Sequence, residues 1–145
     1  MAYQFPLATV LRFRGMVEER EEGILQKILF DITEIFDQLE RTDTQLEESN
    51  ARRREDIFKP STGLQFHAFY GEVEELKQRR KDLEGQMLKL EQARDAQLVV
   101  YEAARRNREM LTDMAEKKRS AYDLDINKRE QKVLDDNYIA RRGRA

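Results

Sequence analysis

The hydrophobic positions fall into columns, most plainly in the second half of the chain. Phe69, Leu76, Leu83 and Leu90 stand at strict seven-residue steps, and Ala104 and Leu111 return to the same column. Phe66, Val73, Met87, Tyr101, Ala115 and Tyr122 fill a second column between them. Two apolar columns repeating every seven residues over more than four repeats are the signature of a helix that packs along a narrow seam. Arg80, Arg94, Gln97 and Arg108 interrupt the seam. An arginine can lay its methylene stem along such a seam and keep its guanidinium in water. The first half carries Leu7, Val10, Val17, Ile24, Ile28, Ile32, Ile35, Leu39 and Leu46. Its steps of four at Ile24–Ile28–Ile32 are looser than a heptad, and Leu25, Leu29 and Phe36 widen the stripe.

The strongest break is Lys59-Pro60-Ser61-Thr62-Gly63. Proline ends a helix and biases its predecessor toward extended backbone. Ser61 or Thr62 can cap the second helix, and Pro6 suits the first turn of a helix. The pattern predicts an all-α fold: a long antiparallel two-helix coiled-coil hairpin forming one domain over 1–145. Its parts are a helix over 7–57, a turn over 58–63, a helix over 64–140 and a short basic tail over 141–145. At 1.5 Å per residue the helices measure roughly 75 and 115 Å. Folding about the turn pairs positions whose numbers total about 123, which sets Val10 near Asp113. The second helix then overhangs from Glu116 to Arg142 with Tyr122, Ile126, Val133, Leu134, Tyr138 and Ile139 on it. A lone helix has nothing against which to bury them, so the overhang frays, self-associates or inserts into a partner.

Composition narrows the function classes. Charged residues make up 39% of the 145, yet 27 Lys+Arg nearly cancel 29 Asp+Glu, which argues against a nucleic-acid binder. The charge is uneven: the last 41 residues hold 12 basic and 8 acidic side chains, the first 60 hold 9 and 13. Antiparallel helices of opposite charge complement each other, although exposed pairs contribute little. The sequence has no cysteine and one histidine, His67, so neither a zinc site nor a thiol nucleophile is expected. There is no glycine-rich phosphate loop, and carboxylate pairs such as Glu21/Glu22 lie on exposed helix. We expect a non-enzyme without cofactor or metal. No run is apolar enough to span a bilayer and the start does not read as a signal peptide, so a cytoplasmic place is expected. Arg52-Arg53-Arg54 reads as a solvated helix end or an anionic docking patch. Phe58, Phe66, Phe69 and Tyr70 read as packing at the hairpin end or as a partner-facing patch.

The two ends carry a more specific pattern. Phe5-Pro6-Leu7 is followed by Val10-Leu11-Arg12 and Arg14. Toward the other end come Tyr101, Ala104-Arg105-Arg106, Glu109, Leu111 and Tyr122, then Arg129-Glu130-Gln131-Lys132 and Leu134-Asp135-Asp136. In these residues the chain resembles the flagellar type III export proteins of the FliJ family. The resemblance implies a stalk, similar to the terminal helices of the gamma subunit of rotary ATPases, that binds the hexameric flagellar export ATPase and promotes its activity. It also implies links to the cytoplasmic part of the membrane-embedded export gate and to export chaperones, at the inner membrane of the flagellar base. On this reading Leu7, Leu11, Arg105, Arg106, Arg108, Tyr122, Arg129, Gln131 and Leu134 meet the ATPase, and Gln38 and Phe69 meet the gate. Family members can carry aromatics where this chain has Gln45 and Ser49. Two alternatives share the architecture or the composition: the stalk of a virulence-type secretion system, and a parallel homodimeric coiled-coil scaffold. The second opposes Arg80 to Arg80, which is costly, so a monomeric hairpin is expected.

Overall fold

Helix α1 runs Ala8–Asp56 and helix α2 runs Gly63–Gly143 in the computed structural model, which describes residues 3–56 and 62–144. The expected turn residues Phe58, Lys59, Pro60 and Ser61 lie outside the described residues. Local chemistry accounts for the ends that are described. Pro6 and Leu7 form a turn, with the Ala8 amide donating to the Phe5 carbonyl at 3.0 Å and the Leu11 amide to the Leu7 carbonyl at 2.9 Å. At the start of α2 the Gln65 amide donates to the Thr62 hydroxyl at 3.2 Å, and the Thr62 amide donates to Gln65 Oε1 at 3.3 Å. This reciprocal capping box satisfies two of the amides that a helix start leaves unpaired. Of the two expected caps, Thr62 fills the role. Arg53 and Arg54 close α1, and Arg141 and Arg142 close α2, where cations complement the helix dipole.

The two helices contribute to two compact units, one of Met1–Glu21 with Tyr101–Ala145 and one of Glu22–Val100. In the second unit the helices pack antiparallel. Arg80 reaches Asp43 at 3.2 Å, and Glu72 accepts from Ser49 at 3.5 Å and lies 3.7 Å from Arg52. As α1 numbers rise, α2 numbers fall, and each pair totals within two of the expected 123. The seam consists of Leu25, Ile28, Ile32, Ile35, Leu39, Thr42, Leu46 and Ser49 on α1, facing Phe69, Val73, Leu76, Leu83, Met87 and Leu90 on α2; all are buried or half-buried. The all-α, antiparallel expectation holds here, with one revision. The α1 spacing is a regular heptad, not the looser series of fours. Ile24 lies exposed and Leu25 takes the seam. Apolarity alone misassigned the stripe because the deepest α1 positions are polar: Thr42 and Ser49 are each 1% exposed. The Thr42 hydroxyl is satisfied within its own helix, donating to the Gln38 carbonyl at 2.8 Å, so its burial leaves no orphan group. On α2, Phe66 is exposed although it falls in a seam column.

In the first unit the helices are again antiparallel, and the same heptad continues. Leu11, Arg14, Glu18 and Glu21 occupy the α1 side, with Tyr101, Ala104, Arg108, Leu111, Ala115, Tyr122 and Ile126 on α2. Val10 is exposed and Leu11 sits in the seam. The overhang starts later than the expected Glu116. Tyr122 and Ile126 are half-buried, and every described residue from 127 to 144 is exposed. The reason is the segment ahead of α1: Tyr3 and Phe5 lengthen the covered part of α2 by reaching Tyr122 and Lys118.

Candidate interaction surfaces

The first unit carries most of the candidate residues, and it divides them into two groups. The first group is engaged inside the unit. Arg108, a seam residue, donates from Nε to Glu18 Oε2 at 2.6 Å and from its terminal nitrogen to Glu18 Oε1 at 3.2 Å. This fork-to-fork pair fixes direction and register as well as charge. The Arg108 hydrogen bond holds the Glu18 carboxyl below its ordinary range against the opposing effect of desolvation, and the carboxylate in turn raises the Arg108 guanidinium. Tyr122 stacks obliquely on Tyr3, ring centroids 5.0 Å apart. Leu11 lies half-buried in the seam, and Leu7 half-buried in the turn before α1.

The second group faces outward. Arg105 donates to Glu109 at 2.9 Å, which raises its guanidinium, and Arg106 donates to the Glu102 carbonyl at 3.4 Å. These are one-turn contacts on the same helix, weakly held and open to exchange. In the arm, Arg129 pairs with Asp125 at 3.0 Å and Gln131 donates to Asp135 at 3.1 Å. Arg129 and Leu134 line a shallow depression together with Glu130 and Val133. Val133, Leu134, Tyr138 and Ile139 are 58–66% exposed. The arm is thus an unbroken helix with apolar side chains in water on either side of charged ones.

The second unit holds the remaining two candidates. Gln38 is half-buried beside the seam, its carbonyl taken by Thr42. Phe69 is half-buried in the seam, with the Arg53 guanidinium 5.7 Å from its ring centroid; the same guanidinium lies 5.8 Å from the Phe66 ring. Arg53 of the basic triplet therefore caps an aromatic pair by cation–π attraction. Nearby, a groove is lined by Gln45, Glu48, Arg52, Glu72, Glu75, Leu76 and Arg79. Its walls are charged, unlike an apolar ligand pocket. Gln38 and Phe69 lie on different helices, and no contact joins them.

Two contacts escape a reading of the sequence by hydropathy. Glu18 reads as one more surface charge, yet its total with Arg108 lies three from the expected 123 and marks it as a seam partner. Tyr3 and Phe5 sit ahead of the proline that starts the helix pattern; extending the register beyond that proline brings them to Tyr122 and Lys118. Among the described residues no group of three His, Cys, Asp or Glu side chains is placed to hold a metal ion, and no helix is long and apolar enough to cross a membrane. Compared with known proteins, residues 3–144 match the family model of the flagellar FliJ protein. No curated protein and no solved structure matches the chain.

Proposed function

The chain belongs to the flagellar FliJ protein family, a flagellar export-associated, non-catalytic family, and from this we propose that it acts as the stalk of the hexameric flagellar export ATPase. The observation that carries the proposal is the arm over residues 127–144: helical throughout to Gly143, exposed at every position, yet retaining Val133, Leu134, Tyr138 and Ile139. Exposed apolar side chains on an ordered helix favour insertion into a partner. In this reading the arm enters the central pore of the ring. Arg129 and Gln131 exchange their one-turn partners for polar groups of the pore, and Leu134 packs against pore loops. Arg105 and Arg106 meet the rim. Arg108 and Leu11 serve the same contact by setting the register and direction of the helix that carries the arm, and Leu7 and Tyr122 meet the ring once it has docked.

The mechanism is differential contact. A ring of six near-equivalent subunits offers six similar surfaces, and one coil cannot touch all six alike. Subunits that gain contact are biased toward one conformation and the others toward another, so turnover around the ring becomes ordered. The chain, acting as one coiled-coil domain, presents Gln38 and Phe69 of its second unit to the cytoplasmic part of the export gate, and it receives emptied export chaperones. It therefore works in the cytoplasm, against the inner membrane at the flagellar base. The intrachain pairs Glu18–Arg108 and Asp43–Arg80 favour a monomeric hairpin over a parallel homodimeric scaffold. The family match favours the flagellar system over a virulence-type one.

The test is the ATP hydrolysis rate of the flagellar export ATPase titrated with the full chain and with Arg129→Glu/Leu134→Asp. Stimulation by the first and at least about a tenfold loss of apparent affinity in the second are expected. Equal stimulation by both refutes the arm as the contact.

A further inference from the structure

The segment ahead of α1 does more than begin a helix. Tyr3 and Phe5 precede the turn at Pro6–Leu7 and lie on α2 in the first unit. The Tyr3 ring packs on Tyr122 at 5.0 Å and receives the Arg119 guanidinium at 5.0 Å; the Lys118 ammonium lies 6.0 Å from the Phe5 ring. Aromatic and cation–π contacts of this kind are weak singly. The Tyr3 hydroxyl is buried and has no hydrogen-bond partner among the described residues, an arrangement that opposes the contact because the group forfeits its hydration. The segment is therefore held by modest forces against a built-in penalty, which suits a reversible closure.

The place of the contact matters equally. Tyr122, Ile126, Arg129 and Val133 follow one another on α2 at steps of four, three and four, so they share one helix face. The first two are half-buried and the last two are exposed. The segment covers the beginning of a face whose continuation is open.

We propose that Tyr3–Leu7 is an autoinhibitory clasp. It occupies the Lys118–Tyr122 end of the arm face in the free chain and is displaced when the export ATPase takes that face. The proposal rests on the stalk reading above. Closed, the clasp lowers apparent affinity by the fraction of chains that are open; if nine chains in ten are closed, opening all of them tightens binding about tenfold.

The absence of native cysteine allows a direct test. Tyr3→Cys/Tyr122→Cys in the full chain is compared with itself, oxidised and reduced, for binding to the export ATPase. Tyr3→Ala and Tyr3→Phe are measured alongside. Expected results are a cross-link in the free chain and binding weakened well beyond tenfold when oxidised, because no chain can then open, with recovery on reduction. Tyr3→Ala should bind more tightly than wild type. Tyr3→Phe, relieved of the unpaired hydroxyl, should bind more weakly. Amide exchange at Lys118–Tyr122 reads the clasp without any partner: Tyr3→Ala should speed it, and unchanged exchange overturns the clasp. Equal binding by the oxidised and reduced forms overturns its inhibitory role. Failure of wild-type and reduced chains alike to bind contradicts the stalk reading, and with it the competition, whatever the exchange data say of the clasp itself.

Discussion

Leu83 and Leu88 lie five positions apart on α2, one 5% exposed and the other 56% exposed. Truncating each to alanine isolates what the seam contributes. Both changes alter helix propensity equally, by a few tenths of a kcal/mol, so that effect cancels in the comparison. A fully buried leucine in a globular core costs about 2–5 kcal/mol on truncation. The seam of a two-helix pair is bounded on few sides and relaxes more easily, which places Leu83→Ala at about 2–3 kcal/mol. Leu88→Ala should cost less than about 0.5 kcal/mol. With a urea slope of about 2 kcal/mol per M, the Leu83 change lowers the unfolding midpoint by roughly 1–1.5 M, and the Leu88 change by about 0.25 M or less. Circular dichroism at 222 nm tracks both transitions. Equal shifts for the two variants, at unchanged slopes, would refute the seam assigned here.

Other consequences stem from single contacts. Thr42→Val keeps the side-chain shape and removes a hydroxyl bonded only to its own helix, so stability should stay level or rise by up to about 1 kcal/mol; a urea midpoint lowered by about 0.5 M would contradict it. Thr62→Ala should cost about 0.5–2 kcal/mol by breaking the capping box, with faster amide exchange at Gln65 and its neighbours, and an unaltered exchange rate would argue against the cap. The Glu18 carboxyl is held below its ordinary value in the folded chain. Its contribution to stability is therefore fully present above the unfolded carboxylate value, and it is lost as pH falls through the lowered native one. The urea-midpoint gap between wild type and Glu18→Gln should be constant from about pH 7 to about pH 5 and close on further acidification; a gap independent of pH would separate it from the Arg108 pair.

Much of the architecture was legible in the residues. The seven-residue columns through Leu76, Leu83 and Leu90 point to the α2 seam, and proline and glycine at 60 and 63 mark where helices stop. The α1 seam was less legible, because the pattern of apolar residues is not the pattern of burial. Thr42, Ser49, Glu18 and Arg14 hold seam positions, while Val10, Ile24 and Phe36 lie exposed. A polar side chain with a partner within reach can occupy a seam, and hydropathy does not see the partner. The same holds for the interaction surfaces. Arg129, Gln131 and Leu134 could be placed on an open arm from the pairing register alone. Arg108 and Tyr122 could be placed in the seam columns but not matched to their partners, since Glu18 and Tyr3 are about 90 and 120 residues away in sequence. Extending the register across Pro6 recovers the second contact, because proline ends the helix without ending the packing.

Engagement of the export ATPase by the open end of α2 is what the proposed stalk role requires. It is tested most directly by titrating that enzyme's ATP hydrolysis with the full chain and with a chain ending at Ile126, the last half-buried residue. This cut keeps the Tyr3–Tyr122 and Glu18–Arg108 contacts, and circular dichroism checks that the remainder folds. Stimulation by the full chain and none by the shortened one is expected. Equal stimulation by a folded chain ending at Ile126 would contradict it and move the contact away from the arm.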